Sequence, residues 1–259
     1  MENKISVVIP CYNSCSTITR ALDSILSQTH PVFEIICIDD RSTDHTINVI
    51  EDYKHEHPEA KITILKNENN IGPSASRNKG IVYSRGDFIA FLDSDDFWFP
   101  EKTRIQLKFI SENKLDGIGS SFLIDTKKKA NIAFSCKTLT LTRLLFSNPL
   151  PTPSVLIRRD ASPLFNVKMQ FSEDYDLWLR LVSSGLKFGY IAEPLIGLGK
   201  PSYGHSGLSA NLAKMQIGEL TAIQNNIGRL NIKSVFFQTI SILKFIKRVA
   251  VVSFRKIKK

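Results

Sequence analysis

Phe88-Ile89-Ala90-Phe91-Leu92-Asp93-Ser94-Asp95-Asp96 decides how this chain is read. Five consecutive apolar residues make a strand too uniformly hydrophobic to face water on either side, which places it in a sheet covered by helices on both faces. The strand then ends in three carboxylates within four residues. Their mutual repulsion is relieved by a cation, and clustered hard oxygen donors suit Mg²⁺ or Mn²⁺. Ligands of open α/β sheets gather at the carboxyl ends of strands, which is where these acids stand.

The same grammar repeats upstream. Ile5 to Pro10 reads as a buried first strand stopped by a proline, and Cys11-Tyr12-Asn13-Ser14 as a loop. Ile18, Ala21, Leu22, Ile25 and Leu26 then make one apolar face of a helix over 17–28. Phe33 to Ile38 is a second buried strand, and it too ends in acids, Asp39-Asp40. A polar turn leads into a second helix reaching Tyr53, then a third strand, Ile62 to Leu65. Asn67 to Pro73 is a loop and Ser74 to Ser84 a third helix. Strands alternating with helices predict an α/β fold with a Rossmann-like, mostly parallel sheet and right-handed crossovers. A nicotinamide or flavin cofactor is not indicated. No G-x-G-x-x-G follows the first strand, and Gly117-Ile118-Gly119 lacks the third glycine and comes too late.

Downstream, a fourth helix over 101–112 leads to a strand near Gly117–Ile124. Lys127-Lys128-Lys129 reads as a solvated hairpin or loop, a short helix is expected at Leu139–Ser147, and Ser154 to Ile157 is another strand. The second informative run is Phe171-Ser172-Glu173-Asp174-Tyr175-Asp176-Leu177-Trp178-Leu179-Arg180-Leu181. Ser172 is expected to cap a helix whose first turn holds Glu173, Asp174 and Asp176, where the dipole favours acids.

A chain of 259 residues buries a full core and holds one large domain, or one with an appendage. No leader pattern precedes the first strand, so an unexported protein is expected, with Cys11, Cys15, Cys37 and Cys136 reduced and without metal-site spacing. The net charge of +9 is carried by residues 220–259, which hold nine basic residues and no acid, while residues 1–219 sum to zero.

Five runs together resemble the family 2 glycosyltransferases. They are Val7-Val8-Ile9-Pro10-Cys11-Tyr12-Asn13, Ile38-Asp39-Asp40-Arg41-Ser42-Thr43-Asp44, Asn70-Ile71-Gly72-Pro73-Ser74-Ala75-Ser76-Arg77-Asn78-Lys79-Gly80, Leu92-Asp93-Ser94-Asp95-Asp96 and Ser172-Glu173-Asp174-Tyr175-Asp176-Leu177-Trp178-Leu179-Arg180. They stand in the family's order, and Tyr203-Gly204-His205-Ser206-Gly207-Leu208-Ser209 is similar to a histidine-bearing segment of bacterial members. The resemblance implies the GT-A fold, a nucleotide-sugar donor and an inverting reaction. It implies that Tyr12 stacks on uracil, that Asp40 accepts from the base N3–H with Asp39 beside it, and that Pro10 and Gly72 shape the donor site. Arg77 and Asn78 would flank ribose and phosphates, and Asp93 with Ser94 would serve the ribose side. Asp95, with Asp93 and His205, would hold Mn²⁺ or Mg²⁺. Asp174 matches the general base, with Glu173 ranked second.

The tail completes the expectation. On a helical wheel Lys244, Lys247, Arg248, Arg255, Lys258 and Lys259 share one sector, with Phe245, Ile246, Val249, Ala250, Val252, Phe254 and Ile257 over much of the rest. Charges in mid-segment disfavour a spanning helix and favour one lying at an anionic membrane surface, the alternative being a helix packed on the domain with a solvated basic face. The expected layout is a catalytic domain over 1–215, with a nucleotide half (1–100) and an acceptor half (101–215), and a basic helical tail over 216–259. The resemblance implies transfer of a hexose from a UDP-sugar, UDP-glucose or UDP-galactose, to an undecaprenyl-diphosphate-linked sugar. The product would be β-linked, in O-antigen or capsule synthesis, at the inner face of the plasma membrane. Two rivals are a nucleotidyltransferase and a non-catalytic sugar- or lipid-binding adaptor. The first normally needs a glycine- and Lys/Arg-rich phosphate loop, which Cys11–Ser14 is not, and the second has no need of Asp93, Asp95 and Asp174. Nucleic acid is not an expected partner.

Overall fold

The computed structural model describes residues 3–124, 134–161, 163–200, 211–229 and 231–257. The expected features at Lys127–Lys129 and His205 lie outside the described residues. In chain order the strands are β1 (Ile5–Cys11), β2 (Glu34–Asp39), β3 (Ile62–Lys66), β4 (Phe88–Phe91), β5 (Phe97–Trp98), β6 (Gly117–Ile124), β7 (Cys136–Leu139), β8 (Leu156–Arg158) and β9 (Phe188–Leu198). The helices are α1 (Ile18–Leu26), α2 (Thr46–Glu56), α3 (Gly72–Tyr83), α4 (Lys102–Asn113), α5 (Leu141–Phe146), α6 (Glu173–Ser183), α7 (Leu212–Ile227) and α8 (Ile232–Ile257).

One sheet runs β3-β2-β1-β4-β8-β6-β9-β5, with β7 paired to β9. The first four strands are parallel, as the alternation predicts. Beyond β4 the sheet is mixed: β8 is antiparallel to β4 and β6, whereas β6 and β9 are parallel.

Alternate side chains of the parallel strands enter two cores, one on each face. Val7 and Ile9 of β1, Ile35 and Cys37 of β2, and Phe88 and Ala90 of β4 join one, packed by α1, α2 and α4. Val8, Ile36, Ile38, Ile89 and Phe91 join the other, packed by α3, α5, α6, α7 and α8. This double burial is why the strands read as unbroken apolar runs. Parallel strands also share one carboxyl end, so the loops after β1, β2 and β4 open on the same rim.

Two local expectations change. Strand β9 is not foreseen by the sequence reading, because Pro194, Gly189 and Gly197 interrupt its pattern. The proline falls where the β6–β9 register jumps from Ser120↔Ile191 to Ser121↔Pro194, so the missing N–H coincides with an irregularity in the ladder. Ser172 does not cap α6. Its φ is 55°, and its hydroxyl donates to the Met215 carbonyl at 3.2 Å, tying the start of α6 to α7.

The tail is packed on the domain. Residues 216–227 belong to α7, whose Ala222 and Ile223 are buried in the second core. On α8, Phe237 packs edge-on against Phe146, Ser241 donates to Glu219, and Arg248 pairs with Glu219 at 2.8 Å. Lys244 is half-buried on that same side, so Lys244 and Arg248 turn inward. Val235, Phe236, Ile242, Leu243, Ile246 and Val249 face outward, with Leu243 61% and Ile246 59% exposed. Among the described residues no helix is long and apolar enough to cross a membrane.

Candidate functional site

The rim at the carboxyl ends of β1, β2 and β4 gathers most of the expected site residues. Tyr12 follows β1 directly and is 52% exposed, its ring free on the surface. Asn13, at φ 49°, accepts from the Thr43 N–H at 2.8 Å and fastens this loop to the turn after β2. Pro10 is the penultimate residue of β1, opposite Ile38.

Asp39 and Asp40 are both buried but differently engaged. Asp40 accepts from Asn67 Nδ2 at 3.0 Å, the Ile71 N–H at 2.8 Å and the Gly72 N–H at 2.8 Å. Its two oxygens thereby hold the start of α3. Gly72 has φ +82° with open space around a hypothetical Cβ, so the backbone turn and not crowding requires glycine there. Asp39 accepts only long bonds from the Ser42 N–H, at 3.3 and 3.4 Å. Asp39 is therefore the less committed of the two.

Arg77, expected to flank the ribose and phosphates, is engaged by protein groups. It is 5% exposed, donating to Asp93 Oδ1 at 2.7 Å and to Glu173 Oε1 at 3.2 Å, with its guanidinium over the Phe165 ring. One side chain of α3 thus joins the acid turn after β4 to the first turn of α6. Asn78, also expected near the donor, has both ends of its amide on the Phe165 backbone, at 2.7 and 2.8 Å. It holds the ring on which Arg77 lies.

The acid turn sets three carboxylates within four residues. Asp96 is buried, accepts from the Gly199 N–H at 2.9 Å, and is pushed up to about 8, first by burial and then by the charges of Asp93 and Asp95. Asp93 and Asp95 are partly exposed, at 30% and 32% of their side chains. Ser94 between them is half-buried. Among the described residues no three His, Cys, Asp or Glu side chains converge as a ready-made metal cage. A divalent ion held by one or two carboxylates and completed by substrate phosphates needs no such cage, and the carboxylate oxygens of Asp93 and Asp95 fit one.

Across the rim, Glu173 is occupied by Arg77, and burial pushes its carboxyl up against the pull of that guanidinium. Asp174 accepts from its neighbour Tyr175 N–H at 2.7 Å and from Asn148 Nδ2 at 3.4 Å. Burial, and then the adjacent Glu173, push it up to about 7. A carboxylate so tuned is a competent proton acceptor near neutral pH.

Sequence reasoning missed Asn148, Arg20 and Lys200. Arg20 donates to the Asp95 carbonyl at 2.5 Å, and Lys200 Nζ lies 2.7 Å from Asp95 Oδ2. None sits in a motif, and nothing local marks them; only the fold brings them to the acids.

Residues 6–150 match the family model for Glycosyl transferase family 2. The chain is 32% identical over 184 residues to the Escherichia coli UDP-Glc:alpha-D-GlcNAc-diphosphoundecaprenol beta-1,3-glucosyltransferase WfaP, covering 71% of this chain and 72% of that protein. It spans 34% of the length of an uncharacterized glycosyltransferase of Rickettsia bellii, at 31% identity. Among solved structures, S. aureus TarS 1-349 in complex with UDP-GlcNAc superposes with a TM-score of 0.70 at 21% identity, over 95% of this chain and 72% of that one. Mannosyltransferase PcManGT from Pyrobaculum calidifontis, in complex with GDP-Man and Mn2+, gives 0.68 at 14% identity, over 93% and 73%. Both share this chain's fold.

Proposed function

The chain belongs to glycosyltransferase family 2, and from that premise we propose that it transfers a hexose from a UDP-sugar, UDP-glucose or UDP-galactose, to a lipid-linked sugar diphosphate. The step is a single displacement. The acceptor hydroxyl gives its proton to Asp174 as its oxygen attacks the anomeric carbon, the bond from that carbon to the diphosphate breaks, and UDP leaves. Inversion turns an α-linked donor into a β-linked product. The observation that carries the reading is the double ion pair of Arg77, to Asp93 at 2.7 Å and Glu173 at 3.2 Å. It sets the expected base beside the acids that would face the leaving group. With Glu173 so engaged, Asp174 is the carboxylate left for the acceptor.

At the donor, Tyr12 offers an exposed ring for the uracil, and Asp39 is better placed than the heavily bonded Asp40 to accept from the base N3–H. Asp40 shapes the pocket by holding Gly72. Asp95 with Asp93 would hold Mn²⁺ or Mg²⁺, which stabilises the negative charge growing on the departing diphosphate. The WfaP relative's name supports an undecaprenyl-diphosphate acceptor and a role in surface polysaccharide synthesis. The outward apolar face of α8 supports a peripheral place on the inner face of the plasma membrane, where such an acceptor resides.

The test is transfer from a panel of UDP-sugars to a synthetic lipid-diphosphate GlcNAc or GalNAc, with and without Mn²⁺, for wild type, Asp95→Asn and Asp174→Asn. A β-linked product from one donor, dependent on metal and lost in both variants, is the expected result. Metal-dependent UDP binding without product rejects the acceptor class, and absence of UDP binding rejects the reading.

A further inference from the structure

Lys200 lies 107 residues beyond the start of the acid turn yet is fastened to it at two points. Its Nζ pairs with Asp95 Oδ2 at 2.7 Å, and the preceding Gly199 N–H donates to Asp96 Oδ1 at 2.9 Å. The approach is close enough that a Cβ on Gly199 would lie 2.1 Å from the Asp95 carbonyl oxygen, so only glycine lets the two segments meet. The carboxylate held by this ammonium is the one expected to take a divalent ion. An ammonium and a doubly charged ion on one carboxylate repel each other, so one must leave when the other arrives. A nucleotide diphosphate changes that balance, because its phosphate oxygens accept both cations.

We propose that Lys200 is the resident counter-ion of Asp95 and makes metal binding conditional on the nucleotide diphosphate. Without donor, the ammonium neutralises the acid turn and holds the metal off. With donor, the metal displaces it from Asp95 and the freed ammonium finds the diphosphate. Metal and UDP thus bind with positive coupling, and Lys200 carries part of that coupling. This rests on the reading of Asp95 as a metal ligand, but the test below reads metal binding and not sugar transfer, so the two fail separately.

Mn²⁺ affinity is measured by the paramagnetic resonance of free Mn²⁺, with and without UDP, for wild type, Lys200→Gln and Lys200→Gln/Asp95→Asn. Lys200 is 39% exposed, so its replacement is no threat to folding. Lys200→Gln is expected to bind Mn²⁺ about five- to tenfold more tightly in the absence of UDP, as loss of a partly exposed competing charge predicts. The enhancement of Mn²⁺ binding by UDP should shrink correspondingly, and Asp95→Asn should abolish the gain. An unchanged or weaker Mn²⁺ affinity in Lys200→Gln without UDP, absence of binding in both proteins included, overturns the proposal.

Discussion

Asp174 shows what a single residue in this site gives up in stability. Its carboxyl is pushed from the ordinary 3.8 up to about 7, so between those values the folded chain holds a proton that the unfolded chain has lost. Stability linked to this group is present below the ordinary value and falls as pH rises through about 7, while the base form that the proposed transfer uses grows in over the same range. Asp174→Asn should therefore lower kcat by roughly 10²–10⁴-fold and yet melt higher than wild type at pH 8. At pH 4 the two melting temperatures should converge. A variant that melts lower at pH 8 would mean that the carboxylate is stabilised by something other than what surrounds it here. The helix that carries Asp174 was legible from its run, where acids precede an apolar stripe, whereas the base role came only from the family resemblance. The division of labour between Asp39 and Asp40 was not legible, since it depends on which of two adjacent carboxylates meets the Ile71 and Gly72 amides.

At the scale of elements, Arg77 joins α3, the turn after β4 and α6 through one guanidinium. Asp93 and Glu173 are 80 residues apart, and no pattern within either run announces that a third helix bridges them. Arg77→Lys keeps the charge and loses the fork, so only one of the two carboxylates stays paired. Breaking a largely buried pair this way costs about 3–5 kcal/mol. Urea denaturation should show a loss of that order, with transfer falling even at saturating donor as α6 loses its register on the acids. A change below about 1 kcal/mol, the range of exposed pairs, would show that the bridge does not hold these elements. The strands β1, β2 and β4 were readable because nearly uniform burial leaves an apolar signature, and α6 because one buried stripe does. Strand β9 was not, because a proline and two glycines obscure its pattern and its place rests on pairing with three distant strands.

For the whole molecule, the proposed membrane placement rests on the tail. Its composition reads as basic and apolar, but the fold turns Lys244 and Arg248 toward Glu219 and leaves the aliphatic face outward. Leu243→Glu/Ile246→Glu should leave the melting temperature unchanged, since both positions are exposed. It should abolish co-sedimentation with vesicles of anionic phospholipid, because each aliphatic side chain contributes about 1.5–3 kcal/mol when buried in an apolar phase. Wild-type binding that persists in the variant, or self-association in place of vesicle binding, would assign this face to another partner. The sequence alone determined the family, the parallel α/β half and the acids at the strand ends, because burial on both faces and the turn chemistry of each motif are local properties. Only the tertiary structure decided that Arg77 is a buried bridge, that Lys200 sits on Asp95, and which face of α8 meets the solvent. Each of those is a contact between segments far apart in the chain, fixed by the packing of the sheet and its helices and not by any neighbour in sequence.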